Sequence, residues 1–370
     1  MPSIADYEAA GLYDPGDPDR AERLEYLQWL SERGFTIDEM VDARQRRSWS
    51  ALVGDRLILP GVRLSRAEVI ERTGLDGTAF DALVAALGFI PIPGAPEGEL
   101  GVTEDEATTL AALQDLGSLF SPEEAMSFVR VVGSSLGRIA DAALSLFALD
   151  VEDRVVAAGA TELELAQLVE DGVRRVDGLA GRLDPVLRRQ FLQAATRSRD
   201  ASVPGEPHHR LRYAVGFVDL VGFTELTRRL DGIALSQLIR DFEARSFDAV
   251  TSAGAYVVKL IGDEVMFAST GPDAACRAAL GLIETFSGPA DEHVVPRGGV
   301  TYGEVLMRGG DYFGTTVNLA SRLVDEAVPG EVLVDEAAAA AATTCAFAPA
   351  GRRMVKGFAE PISVSSLVGE

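Results

Sequence analysis

Tyr256-Val-Val-Lys-Leu-Ile-Gly-Asp-Glu-Val-Met-Phe267 decides the fold of the second half of the chain. A β-branched apolar run leads into Gly262-Asp263-Glu264, and a second apolar run, Val265 to Phe267, leads out. Two short strands about a Gly/Asp turn predict a hairpin. Acids at a hairpin tip are ordinarily solvated turn residues, so the turn alone says little. Lys259 says more. It lies four residues before Asp263 in an otherwise apolar strand, where a charge is costly without a partner. Lys259 and Lys356 are the only lysines in the 370 residues. A compact ammonium kept in a strand of so lysine-poor a chain points to a specific task.

Outward from the hairpin the pattern is α+β. Tyr213 to Val218 reads as a strand ending at Asp219, and Gly222-Phe-Thr-Glu opens a helix with Thr224 as its cap. A second helix runs from about Leu235 to Ser252. After the hairpin come a helix from about Pro272 to Phe286, a strand from about Val294 to Thr301, and a loop carrying Arg308-Gly-Gly-Asp-Tyr-Phe-Gly314. A helix with Asn318 and Arg322 on one face follows, and Glu331 to Asp335 and Arg353 to Val368 supply further strands. Strand-helix-strand-strand-helix-strand is the ferredoxin-like arrangement with additions. If the Asp219 strand neighbours the hairpin, Asp219 and Asp263 meet at one edge of the sheet. Paired carboxylates suit Mg²⁺ or Mn²⁺ beside substrate phosphates. The backbone from Leu220 to Thr224, at a helix N-terminus, suits an anion.

The first half is helical. Residues 1–20, acidic and rich in Pro and Gly, read as a flexible arm; residues 21–196 read as an all-helical domain, 197–212 as a linker and 213–370 as the α+β domain. Leu24, Leu27 and Leu30 recur at helical spacing. Ser121-Pro-Glu-Glu124 is a capping box opening a long apolar helix through Phe147, and Thr161-Glu-Leu-Glu164 opens another. Leu64 to Phe89 resembles a helix-turn-helix, with Ser65 as a cap and Thr73-Gly-Leu-Asp-Gly77 as the turn. From Thr78 to Phe89 its second helix carries Asp81 and no Arg or Lys, which favours scaffold over DNA readout. Two of the three histidines, His208 and His209, fall in the linker, where they are either solvated or a proton-sensitive hinge.

A net charge of −23 argues against nucleic acid or an anionic membrane as partner. Two cysteines, Cys276 and Cys345, fit a reducing cytoplasm rather than a disulfide framework. The N-terminus lacks the basic and apolar regions of a signal peptide, and no apolar run is long enough to span a bilayer.

Phe217-Val-Asp-Leu-Val-Gly-Phe-Thr224, Lys259-Leu-Ile-Gly-Asp-Glu264, and Asp311 followed by Asn318 and Arg322 together resemble the class III nucleotidyl cyclase catalytic domain, from about Arg212 to Leu367. The spacing agrees as well: Lys four before the metal Asp, Asp seven before Asn, Asn four before Arg. The resemblance implies a ferredoxin-like catalytic domain in which Asp219 and Asp263, with Leu220 beside them, hold two Mg²⁺ or Mn²⁺ ions per site. Phe223 and Thr224 would meet the phosphates. Lys259 and Asp311 would read adenine as donor and acceptor; guanylyl cyclases carry Glu and a small residue there. Asn318 would orient the ribose, Arg322 would stabilise charge on the α-phosphate, and Lys356 in Val355-Lys-Gly-Phe358 would bind the triphosphate. It also implies ATP as substrate and a homodimer with composite sites. The helical first half resembles the regulatory domain of actinobacterial soluble cyclases, some of which respond to pH. Two other readings stand beside this: a DNA-binding regulator with a nucleotide-sensing cyclase-like half, and a helical module that binds a lipid or other small-molecule effector.

Overall fold

A computed structural model describes residues 1–46, 49, 51–92, 95, 98–147, 153–202, 210–288 and 294–369. The linker histidines His208 and His209 lie outside the described residues. The chain divides into two compact units, Met1–Leu187 and Arg188–Glu370.

The first unit is built of helices α1 (Ile4–Ala9), α2 (Arg20–Glu32), α3 (Ile37–Gln45), α4 (Leu52–Ile58), α5 (Arg66–Thr73), α6 (Gly77–Leu87), α7 (Glu104–Asp115), α8 (Pro122–Phe147), α9 (Asp153–Ala157) and α10 (Glu162–Ala180). Helix α11 (Asp184–Ala201) begins at its end. Local sequence sets many of the helix starts. At α1, α3, α5, α7 and α10 a Ser or Thr accepts from the amide three residues on, and the acid there bonds back to the cap. The first of these boxes, Ser3 with Asp6, overturns the flexible arm expected over residues 1–20. It opens α1, whose Tyr7 is buried with Leu12, Tyr26, Leu27 and Leu30. The arm is loose in composition but carries two apolar anchors, and their burial outweighs the Pro and Gly content.

The helix-turn-helix segment forms as α5 and α6. Gly74 and Gly88 end the two helices at φ 71° and 76°, where a side chain would be strained. Arg66 grips both carboxylate oxygens of Asp81 at 2.8 and 2.9 Å, so the one charge on α6 is tied into the domain. Leu64, Val69, Phe80, Leu83, Leu110 and Val129 form the core beneath. On α8 only Val129 and Gly133 are buried, and Phe128, Leu136, Ile139, Leu144 and Leu146 are exposed.

The second unit contains β1 (Leu211–Val221), α12 (Phe223–Thr227), α13 (Gly232–Ser252), β2 (Tyr256–Ile261), β3 (Glu264–Ser269), α14 (Pro272–Thr285), β4 (Val295–Arg308), β5 (Asp311–Phe313), α15 (Thr315–Glu326), β6 (Val332–Asp335), α16 (Glu336–Ala341), β7 (Ala346–Arg353) and β8 (Ile362–Gly369). The sheet order is β2-β3-β1-β4-β6-β8-β7, with β5 folded back onto β4. Its first four strands, with α13 and α14 as crossovers, are the ferredoxin-like arrangement expected from the sequence. Along β1, side chains alternate between two cores. Ala214, Val218 and Leu220 join the core containing Phe242 of α13 and Leu282 of α14. Tyr213, Val215 and Phe217 join the core containing Val317, Ala320 and Val324 of α15.

Four local expectations are corrected. Asp219 lies two residues inside β1 rather than at its end, because apolar Leu220 and Val221 continue pairing with β4. Residues 308–314 are not a plain loop: Gly309 and Gly310, both at positive φ, close a hairpin that makes Asp311 the first residue of β5. Thr224 does not cap α12, because Gly222 takes the left-handed cap at φ 98° and the helix starts at Phe223. The first residues of the expected linker, 197–201, are the end of α11.

Asp273 at the start of α14 tethers the segment before β7. It accepts from both backbone and hydroxyl of Thr343 and Thr344 at 2.8–3.0 Å. Burial pushes this carboxyl up, but the four hydrogen bonds prevail and hold it down at about 2, against 3.8 ordinarily. A carboxyl depressed on folding stabilises the protein above its unfolded pKa, and that contribution is lost as pH falls through the folded one. Asp273→Ala is therefore expected to cost about 2 kcal/mol at pH 7. In denaturant titrations the gap from wild type should shrink as pH falls from 4 toward 2; a gap independent of pH would contradict this.

Candidate active site

The acids come first. Asp219 on β1 stands opposite Glu264 on β3 and opposite Arg297 on β4. Asp263 sits in the turn between β2 and β3, which Gly262 closes at φ 65°. Burial raises the Asp263 carboxyl, and the Asp219 charge raises it further. Glu264 is pushed up to about 7 by burial and by Asp219, Asp325 and Asp263 together, with Arg297 offsetting them. Carboxylates that repel one another this strongly at a sheet edge are matched by cations. Arg297 supplies one: its guanidinium meets Asp219 at 3.3 Å and donates to the Asp325 carbonyl at 3.2 Å. Among the described residues no cluster of three or more His, Cys, Asp or Glu side chains forms a complete metal site. Two carboxylates with backbone and phosphate oxygens are nonetheless a fitting set for Mg²⁺ or Mn²⁺.

Leu220 has a backbone role available. Pro296 O accepts from Gly330 N and Gly298 N donates to Glu331 O, so residues 296 and 298 turn their backbone groups toward β6. Leu220 pairs with Pro296 and is thereby turned away from β4, toward the side of β3 and the Asp263 turn. The Phe223 side chain is 7% exposed and packs against Phe242 at 5.6 Å, so only its backbone is left to meet a phosphate. Thr224 is exposed on the first turn of α12.

Lys259 finds the partner its sequence context required. Its ammonium pairs with Asp311 on β5, with the two side chains 41% and 27% exposed. β2 is the edge strand, so the charge stays near solvent. A bulge between Val257 and Lys259 changes the strand's parity: Tyr256 pairs with Ala268 and Lys259 with Met266, two residues apart on β3. Tyr256 and Lys259, three apart in sequence, therefore share the face that also carries Tyr213.

The third group lies on α15. Val317, Ala320, Leu323 and Val324 face inward, which leaves Asn318 and Arg322 outward, one turn apart. The helix sits close because β4 has glycine beneath it: a Cβ on Gly299 would come within 2.5 Å of the Ala320 carbonyl. Lys356 follows buried Val355 in the turn between β7 and β8, anchored with Phe358 against Leu319 and Leu323. Asn318, Arg322 and Lys356 line one cavity of about 300 Å³ with Thr315, Ser321, Gly357 and Phe358. Neither the acids nor the Lys259–Asp311 pair lines that cavity.

Arg297 and Asp325 escaped the sequence reading, and Glu264 enters it only as part of the hairpin motif, without a role. Arg297 shares no local motif with Asp219. Only the antiparallel register, 78 residues away in sequence, brings them together.

Residues 208–364 match the adenylate and guanylate cyclase catalytic domain, and residues 5–196 the adenylate cyclase regulatory domain. An uncharacterized protein of Mycobacterium tuberculosis is 32% identical over 88% of this chain and 84% of its own length. The adenylate cyclase of Streptomyces coelicolor is 37% identical over 68% of this chain and 64% of its own. A pH-sensitive adenylate cyclase of Mycobacterium tuberculosis is 29% identical over 87% of this chain and 80% of its own. These matches place the chain in the adenylate and guanylate cyclase family, with an adenylate cyclase regulatory domain followed in sequence by a catalytic domain of that family.

Proposed function

We propose that the chain is an adenylyl cyclase that converts ATP to 3′,5′-cyclic AMP and pyrophosphate at two identical sites shared across a homodimer. The observation that carries this reading is the Lys259–Asp311 pair, an ammonium and a carboxylate held together at the open edge of the sheet. Adenine offers a ring nitrogen to the first and its amino group to the second.

Asp219, Asp263 and the Leu220 carbonyl are the residues we assign to two Mg²⁺ or Mn²⁺ ions, which when bound stabilise the attacking and leaving oxygens together. The backbone at Phe223 and Thr224 and the Lys356 ammonium hold the triphosphate. Asn318 orients the ribose so that its 3′-oxygen faces the α-phosphorus. The 3′-hydroxyl gives up its proton to solvent, the bond from its oxygen to phosphorus forms as the bond to the β-phosphate oxygen breaks, and pyrophosphate leaves. Arg322 neutralises charge growing on the α-phosphate. Positioning and charge supply this catalysis, with no covalent nucleophile on the protein.

The Asn318–Arg322–Lys356 cavity holds neither the acids nor the base pair, which fits a site completed by a second copy. The exposed apolar residues of α8 fit the same assembly, or a lipid or other small effector acting on the regulatory domain. We assign the chain to the cytoplasm, whose reducing conditions suit its two cysteines. The pH-sensitive relative supports pH as a signal read by the regulatory domain, with the linker histidines His208 and His209 as the candidate groups, histidine being the side chain that ordinarily changes charge near neutral pH. A DNA-binding role is disfavoured, since α6 offers the major groove no Arg or Lys and its Asp81 is tied to Arg66.

The test supplies purified chain with equal ATP and GTP and excess Mn²⁺. Cyclic AMP and pyrophosphate should appear in equal amounts, with cyclic GMP formed about 10²-fold more slowly, since a misread base covers Lys259 and Asp311 and leaves both without a complementary partner. Equal cyclic GMP would overturn the adenine assignment. No cyclic product from either nucleotide would overturn the cyclase reading.

A further inference from the structure

The two residues of the base-reading pair stand on strands that are not neighbours. Lys259 is on β2 at one edge of the sheet, and Asp311 is on β5, which folds back from β4 with β3 and β1 between. Their own ion pair joins the two strands, but an ion pair must open around a base to read it. A second link lies on the same face. Tyr256, brought to the side of Lys259 by the bulge, has its hydroxyl 2.5 Å from that of Tyr312, the residue after Asp311. Tyr312 N also donates to Asp311 Oδ1 at 2.8 Å. Tyr213 on β1 fills the space beneath, with its ring centroid 5.1 Å from Tyr312 and 6.5 Å from Tyr256. Arg197 of α11 lies 4.4 Å over the Tyr256 ring and presses it from the other side.

Three phenols are an expensive filling for a core, because each hydroxyl must find a partner. Phenylalanine would pack as well, so the hydroxyls do something that packing does not. Burial pushes the Tyr213 and Tyr256 hydroxyls far above the ordinary phenol range, so they keep their protons and act by geometry.

We propose that the Tyr256–Tyr312 hydroxyl bond, seated on the Tyr213 ring, is the positioning device of nucleotide selection: it holds β5 over β2 so that Lys259 and Asp311 keep the spacing of an adenine edge when their own ion pair opens. This rests on the cyclase reading above.

The test compares wild type, Tyr256→Phe, Tyr312→Phe and the double variant with Tyr302→Phe, a tyrosine on β4 outside the network. Steady-state kinetics with ATP and GTP are paired with equilibrium binding of both nucleotides to the dimer, below the melting temperature of each variant. The double variant should show KM and Kd for ATP raised about tenfold and the ATP-to-GTP ratio of kcat/KM lowered about tenfold. Its kcat at saturating ATP should stay within about twofold, and Tyr302→Phe should match wild type. Should the double variant fold poorly, the single variants must show the same split, each more weakly. A folded double variant with wild-type KM and nucleotide ratio overturns the proposal, as does a loss confined to kcat. Wild type that makes both cyclic products without discriminating the nucleotides overturns the adenine assignment instead, and wild type that makes neither overturns the cyclase reading.

Discussion

Asp219→Ala and Arg322→Ala are each expected to lower cyclic AMP formation about 10³-fold or more while leaving the fold intact. The reasons differ. Asp219 is one of the acids at the β1–β3 edge, and Arg297 holds it at 3.3 Å. Removing it takes away half of the carboxylate pair that suits a divalent ion and leaves Arg297 with the Asp325 carbonyl but without its carboxylate partner. Arg322 is 44% exposed on α15, with one long contact to Asp325 at 3.4 Å. So weak an exposed pair contributes little to stability, and truncation should leave the melting temperature nearly unchanged. Its large effect must then come from the reaction: a guanidinium missing where negative charge grows is felt in the transition state and hardly in the ground state. The expected signature is a collapse in kcat with KM for ATP within a few-fold. A drop in KM-dependent binding with kcat preserved would assign Arg322 to ground-state holding.

Lys259→Ala/Asp311→Ala is expected to lower kcat/KM for ATP about 10²-fold and to leave the value for GTP within a few-fold, so that discrimination between bases nearly disappears. Removing both partners avoids the stray charge that either single variant would leave beside the tyrosine core. Stability should move little, because the pair is part-exposed and screened. Parallel assays of the two nucleotides check this; an undiminished preference for ATP would place base recognition elsewhere.

Much of this was readable in the chain because the signals are local. The hairpin at Gly262-Asp263 follows from two apolar runs and a turn, and it forms over Tyr256–Ile261 and Glu264–Ser269. Asn318 and Arg322 share a helix face because four residues make about one turn. The capping boxes at Ser65 and Thr161, and the Ser121 hydroxyl that accepts from Glu124 N at 3.3 Å, mark helix starts directly. What stayed hidden depends on register and burial. Arg297 meets Asp219 only through antiparallel pairing of β1 with β4. Tyr256 and Lys259 share a face only because one bulge shifts parity, and nothing in Tyr-Val-Val-Lys announces a bulge. The segment 1–20 carries loop composition, yet Tyr7 and Leu12 are buried in the core. The extension of β1 past Asp219 likewise comes from a neighbouring strand rather than from its own residues.

The claim that each reaction centre is assembled from two copies is tested most directly by mixing. Asp219→Ala and Arg322→Ala chains are co-expressed with distinct tags, heterodimer formation is verified by tandem capture, and cyclic AMP formation from ATP and Mn²⁺ is measured on the mixture. If the metal acids of one chain work with Arg322 of the other, both lesions of a heterodimer fall in one site and the second site is wild type. Random pairing then restores up to about a quarter of wild-type activity, half the dimers having one good site of two. A folded, demonstrably heterodimeric mixture that stays as inactive as its parents would show that the residues act within one chain, and the shared site would be wrong.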